Sequence, residues 1–91
     1  KSIMKYLLLY NPEEDTYIKD YFKNKGLELD IYSSKSPKDL EDKATFFSSK
    51  YDVFLVSGGD GTINEVVNGL MRVSKRPSLA VLPSGTANDV A

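Results

Sequence analysis

The chain of 91 residues contains no cysteine and no histidine. The first absence excludes disulfides and thiolate chemistry. The second removes the side chain that most often acts as a base near neutral pH. Any general base must therefore be a carboxylate, or must come from outside the chain. An excess of charge is lacking as well: 12 lysines and arginines stand against 13 acidic residues, a net charge of -1. Such a balance creates no field for polyanions, and nucleic acid is not an expected partner. Long hydrophobic runs are missing, and the longest apolar stretches are far too short to cross a bilayer. No charged-then-apolar leader precedes the first apolar run. A cytoplasmic location is the default expectation. What is present is ordinary for one soluble domain, 41% hydrophobic and 27% charged.

The order of elements can be read from periodicity. Residues 3–10, IMKYLLLY, form an apolar run ended by Asn11-Pro12, which suits a strand buried on both faces. Tyr17, Ile18, Tyr21 and Phe22 make one helical stripe within 13–25, with Gly26 as the stop. Residues 27–32, LELDIY, alternate apolar and acidic side chains and read as a half-exposed edge strand. Ser36-Pro37 offers an N-cap followed by proline at the first helical position, and Leu40, Ala44 and Phe47 continue that helix. Residues 51–57, YDVFLVS, give a third strand. A helix is expected from Thr62 to about Val73, with Ile63, Val66, Val67, Leu70 and Met71 on one face. Thr62 and Glu65 would form its capping box, and Arg72, Lys75 and Arg76 would complement the dipole at its end. Residues 78–83, SLAVLP, supply a fourth strand, and Thr86 with Asp89 opens a further helix. The sum is an α/β chain, βαβαβαβα, with a three-layer parallel sheet in the order 2-1-3-4. The chain starts at Lys1 rather than methionine and stops in the first turn of a helix. The expectation is the truncated N-terminal domain of a larger protein, whose exposed apolar surface would favour homo-oligomers.

In such sheets ligands bind at the C-terminal ends of the strands. Three turn-rich stretches share that edge: Asn11-Pro12, Gly58 to Gly61, and Pro83 to Asn88. The sequence VSGGDGTINEVVNG carries three glycines and a carboxylate where a strand meets a helix. Free N–H groups at a helix N-terminus attract anions, and glycine lets a phosphate approach the backbone. Neither the dinucleotide fingerprint nor a P-loop fits, because Asn64 stands where a third glycine would be and no Gly-Lys-Ser/Thr follows. Asp60 repels phosphate unless a cation such as Mg²⁺ lies between, or unless it accepts a proton. The plain alternative is a tight turn with Asp60 solvated. Residues 82–89 repeat the pattern, with the plain βα turn as their alternative. Asn11-Pro12 is either a strand stop or an amide reaching a phosphate or a base.

Two of these stretches together resemble a known family. GGDGTINEVVNGL at 58–70 and PSGTANDVA at 83–91 are similar to the paired motifs of the diacylglycerol kinase catalytic domain, shared by bacterial lipid kinases and sphingosine kinases, and Asn11-Pro12 falls where that family has Asn-Pro. The resemblance implies an ATP-dependent kinase that phosphorylates a lipid hydroxyl, with ATP and Mg²⁺ as cofactors. It implies that Gly58, Gly59, Asp60, Gly61 and Thr62 hold the nucleotide phosphates, with Thr62 and Glu65 supporting the loop. Gly85, Thr86 and Asn88 would line the other side, Asn11 would touch nucleotide, and a family threonine would fall near Ser33. Asp60 is the one catalytic or metal-side candidate, the latter through indirect contact; the main base is expected outside this chain. The family has a further β-rich domain with the lipid site, so the fragment alone is expected to be inactive and to meet a membrane surface only through that missing domain. The family usually follows Asn-Pro with a small residue and glycine, whereas Glu13-Glu14 follow here and would weaken anion binding if they faced inward. Three other readings remain: an NAD or sugar-phosphate kinase, since those carry versions of Gly-Gly-Asp-Gly, a non-catalytic nucleotide-binding regulatory module, and a degenerate structural α/β domain.

Overall fold

The computed structural model describes residues 4–12 and 29–83. The helix expected over 13–25, its Gly26 stop, Glu13-Glu14 and the helix opening at Thr86 lie outside the described residues. Within them the chain forms β1 (Tyr6–Tyr10), β2 (Asp30–Ser33), α1 (Asp39–Phe47), β3 (Val53–Gly58), α2 (Asp60–Leu70) and β4 (Ser78–Pro83). The four strands make one parallel sheet in the order β2-β1-β3-β4. The expected topology is therefore the observed one, and β2 is an edge strand.

The core follows from the alternation of side chains along β1 and β3. Leu7 and Leu9 of β1 join Phe54 and Val56 of β3 on one face, where Leu40 and Ala44 of α1 and Val66 and Leu70 of α2 cover them. Leu8 and Tyr10 point to the opposite face, with Leu29, Leu55 and Leu82 against them. A strand buried on both faces has to be apolar throughout, which is why Leu7-Leu8-Leu9 is unbroken. Each such side chain contributes about 1.5–3 kcal/mol on burial. Both described helices pack on the same face of the sheet.

The two helices meet closely at Gly69. A Cβ built there would lie 2.1 Å from the backbone oxygen of Glu41 and 2.8 Å from Cβ of Ala44. Thr45 Oγ1 donates to the Gly69 carbonyl at 2.7 Å, stitching α1 to α2 across this gap. At the N-terminal edge of the sheet, Asp52 ties three strands. Its carboxylate accepts from the Lys5 N–H at 2.7 Å. Its own N–H donates to the Lys5 carbonyl at 2.8 Å, and its carbonyl accepts from the Ser78 N–H at 3.0 Å.

Several boundaries differ from the sequence reading. The strand expected over 3–10 begins at Tyr6, and the one expected over 51–57 runs from Val53 to Gly58. α1 does not start at Ser36-Pro37. These residues form a turn, closed by the Asp39 N–H on the Ser36 carbonyl at 3.1 Å, and the N-cap is Lys38 with φ 67°. α2 starts two residues before Thr62, capped by Gly59 in extended backbone. Thr62 thus lies inside the helix and there is no capping box with Glu65. Met71, expected on the buried face, is 64% exposed. Arg72 lies beyond the helix end and bonds Glu41 and Asp42 of α1. Lys75 and Arg76 also lie past Leu70, so the dipole argument does not apply to them.

Lys38 makes one of these differences testable. A left-handed backbone costs an L-residue about 1–2 kcal/mol, part of which glycine gives back as extra freedom in the unfolded chain. Lys38→Gly is expected to gain about 0.5–1 kcal/mol, a rise of roughly 2–8 °C in melting midpoint for a domain this small. A midpoint that stays level or drops in a thermal melt would contradict the strain assigned to Lys38.

Candidate functional site

Because every strand runs the same way, the C-terminal ends of β1, β2, β3 and β4 lie on one edge. The register fixes their proximity. Tyr10, just before Asn11, pairs with Ser33 on one side and Ser57 on the other. Gly58 pairs with Pro83, the first residue of the second glycine motif. Asn11 and the Gly58–Gly61 loop therefore sit on neighbouring strands. Gly85, Thr86 and Asn88 lie outside the described residues.

The three glycines of the loop have different reasons. Gly58 has φ 150°, a conformation that L side chains rarely adopt, so the backbone itself demands glycine. Gly59 caps α2 with φ −85° and ψ −172°, which any residue can adopt. At Gly61 a Cβ would meet nothing within 4 Å. Neither the backbone nor the packing requires glycine at 61, and the space before it is open. An open space at the first turn of an 11-residue helix, where N–H groups point outward, suits an anion held against the backbone. Asp60 is exposed at the helix start. Its carboxylate complements the positive end of the dipole. Thr62, by contrast, is 3% exposed, so its side chain belongs to the base of the loop rather than to its open side.

Beside the loop lies a cleft of about 400 Å³, walled by Asn11 and Pro12 on one side, by Ser34, Lys35, Ser36 and Pro37 on another, and by Glu65 of α2. Glu65 is half-buried, and its Oε1 is buried with no hydrogen-bond partner among the described residues. A buried carboxylate oxygen without a donor costs free energy that a donor in the cleft would recover. Ser33, placed in the site by the sequence reading, is the last residue of β2, and the neighbouring Ser34 is the one that lines the cleft. Lys35, Ser36 and Pro37 were not among the expected site residues. Lys35 stands two residues past the end of β2, and nothing in the sequence marked it.

The wall is held by a small network. The Tyr32 hydroxyl donates to Asp39 Oδ2 at 2.6 Å, and the Lys35 N–H donates to the same oxygen at 3.0 Å. Burial, then the Asp39 bond and its charge, push the Tyr32 phenol up to about 12. Burial alone would raise Asp39, but the bonds from Tyr32 and the Lys35 N–H, with the charges of Lys43 and Lys35, hold its carboxyl below the usual value. A larger hollow of about 830 Å³ opens at the opposite edge, beside Lys5, Asp30 and Tyr51. It lies where the strands begin and is lined neither by Asn11 nor by Glu65, so size alone does not identify the site.

Among the described residues no group of three His, Cys, Asp or Glu side chains could hold a metal, and no helix is long and apolar enough to cross a membrane. A single carboxylate at Asp60 suits a divalent ion whose other ligands are water and ligand oxygens, as Mg²⁺ commonly has.

A family model of the diacylglycerol kinase catalytic domain matches residues 5–91. The diacylglycerol kinase of Staphylococcus aureus (strain JH9) is 37% identical over 94 residues, covering 90% of this chain and 29% of that protein. That of Staphylococcus saprophyticus is 42% identical over 65 residues, covering 70% and 21%. A crystal structure of a diacylglycerol kinase from Bacillus anthracis superposes with a TM-score of 0.77 at 36% identity, over 98% of this chain and 36% of that one. The chain thus spans between 21% and 36% of the length of these three relatives.

Proposed function

The chain belongs to the diacylglycerol kinase catalytic domain family, and from that premise we propose that it is the ATP-holding part of a lipid kinase. In this reading the N–H groups at the start of α2 and the backbone of Gly58, Gly59 and Gly61 take the phosphates of ATP. The nucleoside end lies over the cleft between Asn11, Ser34 and Glu65. The open face of Gly61, which neither packing nor backbone explains, is the observation that carries it. The unpartnered Glu65 Oε1 supports it, since a nucleoside offers hydroxyl and amino donors.

Phosphoryl transfer asks the protein mainly for positioning and for neutralised charge. The residues of this chain fix the phosphates at a helix N-terminus and keep the nucleotide in register with the sheet edge. Mg²⁺, when bound, supplies charge neutralisation at the phosphates, with Asp60 as its protein-side partner. The acceptor is a lipid alcohol, diacylglycerol by analogy with the relatives. The residues that bind it and deprotonate its hydroxyl lie outside this chain, so the 91-residue chain alone binds ATP and transfers no phosphate.

Titrating the chain with ATP and Mg²⁺ by calorimetry, and assaying transfer of labelled γ-phosphate to diacylglycerol in mixed micelles, tests both halves. Saturable ATP binding with no lipid phosphorylation is expected. Failure to bind ATP would remove the nucleotide reading. Tighter binding of NAD or a sugar phosphate in the same titration would move the chain to the other kinase classes that share Gly-Gly-Asp-Gly. Phosphorylation of diacylglycerol by the chain alone would overturn the second half.

A further inference from the structure

We infer that Asp39 is a positioning residue for nucleotide binding, acting through the turn that walls the cleft; this rests on the nucleotide reading above. The turn from Ser34 to Lys38 faces Glu65 across about 400 Å³, and it has no regular secondary structure of its own. Its shape is set by bonds at its two ends. At the near end the Ser34 N–H donates to the Tyr10 carbonyl at 2.9 Å, extending the β1–β2 pairing by one residue. At the far end Lys38 turns left-handed into α1. Between them, one carboxylate oxygen holds the wall: Asp39 Oδ2 accepts the Lys35 N–H from the turn and the Tyr32 hydroxyl from the strand. Asp39 is itself the first residue of α1. A single atom therefore fixes strand, turn and helix relative to one another where the cleft needs a constant width.

Asp39 is not among the residues lining the cleft, so its influence is indirect. Its charge also gives the test its discrimination. Removing a negative charge near an anionic ligand would by itself strengthen binding. A weaker affinity after Asp39→Ala can then arise only from the lost bonds and the displaced wall.

The 91-residue chain is titrated with ATP and Mg²⁺ at low temperature, on the folded fraction, alongside ¹⁵N–¹H spectra of the free chain. Asp39→Ala is expected to weaken ATP binding by about tenfold, the scale set by the net worth of the two bonds that hold the wall. The Lys35 amide resonance should shift in the free protein. Asp39→Asn, whose side-chain oxygen still accepts both bonds, should recover most of the affinity. Asp52→Ala, which removes the bond to the Lys5 N–H at the opposite edge of the sheet, lowers stability and should leave the affinity of the folded chain unchanged. If Asp39→Ala does not fold, Tyr32→Phe gives the same reading with a loss of about threefold, since only one of the two bonds is removed. Unchanged or tighter binding in Asp39→Ala, an equal loss in Asp52→Ala, or a Lys35 amide that does not move would overturn the positioning role and leave the nucleotide site standing. A wild-type chain that binds no ATP would overturn the nucleotide reading and this inference with it.

Discussion

Replacing Gly61 with glutamate is expected to weaken ATP binding by about a hundredfold or more while leaving the melting midpoint level or a few degrees higher. The two halves of this result have separate causes. A side chain at 61 meets no protein atom within 4 Å of its Cβ, and the residue sits in the first turn of α2. An acidic side chain is favourable at such a position, and any non-glycine residue lowers the entropy lost on folding by about 0.5–1 kcal/mol. Folding therefore has no reason to suffer. The same side chain would occupy the space assigned to phosphate, and like charges juxtaposed at a binding surface cost several kcal/mol. Paired thermal melts and ATP titrations read both quantities. A variant that binds ATP as wild type does would show that Gly61 faces no ligand; one that unfolds would show that its open space is illusory. Gly61→Ala should retain stability and lose an intermediate amount of affinity.

The opposite pattern is expected at Gly69, eight positions along the same helix. Gly69→Ala should lower stability by about 3 kcal/mol, at the upper end of what overpacking ordinarily costs. The new methyl would stand 2.1 Å from a backbone oxygen and 2.8 Å from Ala44 Cβ. No rotamer relieves a contact with main chain, so α1 and α2 would have to separate. That would stretch the bond from Thr45 to the Gly69 carbonyl and loosen Leu40, Val66 and Leu70, which share one cluster. For a domain of this size the loss corresponds to a drop of roughly 12–24 °C in midpoint. Urea denaturation measures it directly, and a change below about 1 kcal/mol would mean that the helices slide apart at little cost.

These two glycines show what could and could not be read from the chain. Gly61 belongs to a cluster of small residues at a strand–helix joint, which is visible as a pattern. Gly69 looks like an ordinary interruption of a helix, because its reason lies on α1, some 25 residues earlier, and periodicity carries no information about which backbone crosses where. The strand order was legible for the same reason that Gly61 was. Short links and continuous apolar runs leave few parallel arrangements, and Asn11 and Gly58 fell on adjacent strands as expected. Helix starts were not legible. Thr62 and Glu65 have capping-box spacing, yet Gly59 caps the helix and Thr62 is buried within it. A two-residue error there reassigns Glu65 from the mouth of the loop to the wall of the cleft. Ser33 and Ser34 differ by one position, and alternation along a strand sends neighbours to opposite sides; only the observed end of β2 decides between them. Asp39 was hidden among the mixed charges between Lys35 and Lys43, because its partners Tyr32 and Lys35 lie on a different element and in a turn.

Asp52 sews the lower hem of the sheet, fastening β1, β3 and β4 where they begin. Strand alignment is thereby set at the end remote from the ligand edge. The upper loops are then free to be redrawn, lengthened or exchanged with no slippage of the ladder beneath them. A change of ligand preference on this sheet edge can accordingly be a matter of loop residues alone.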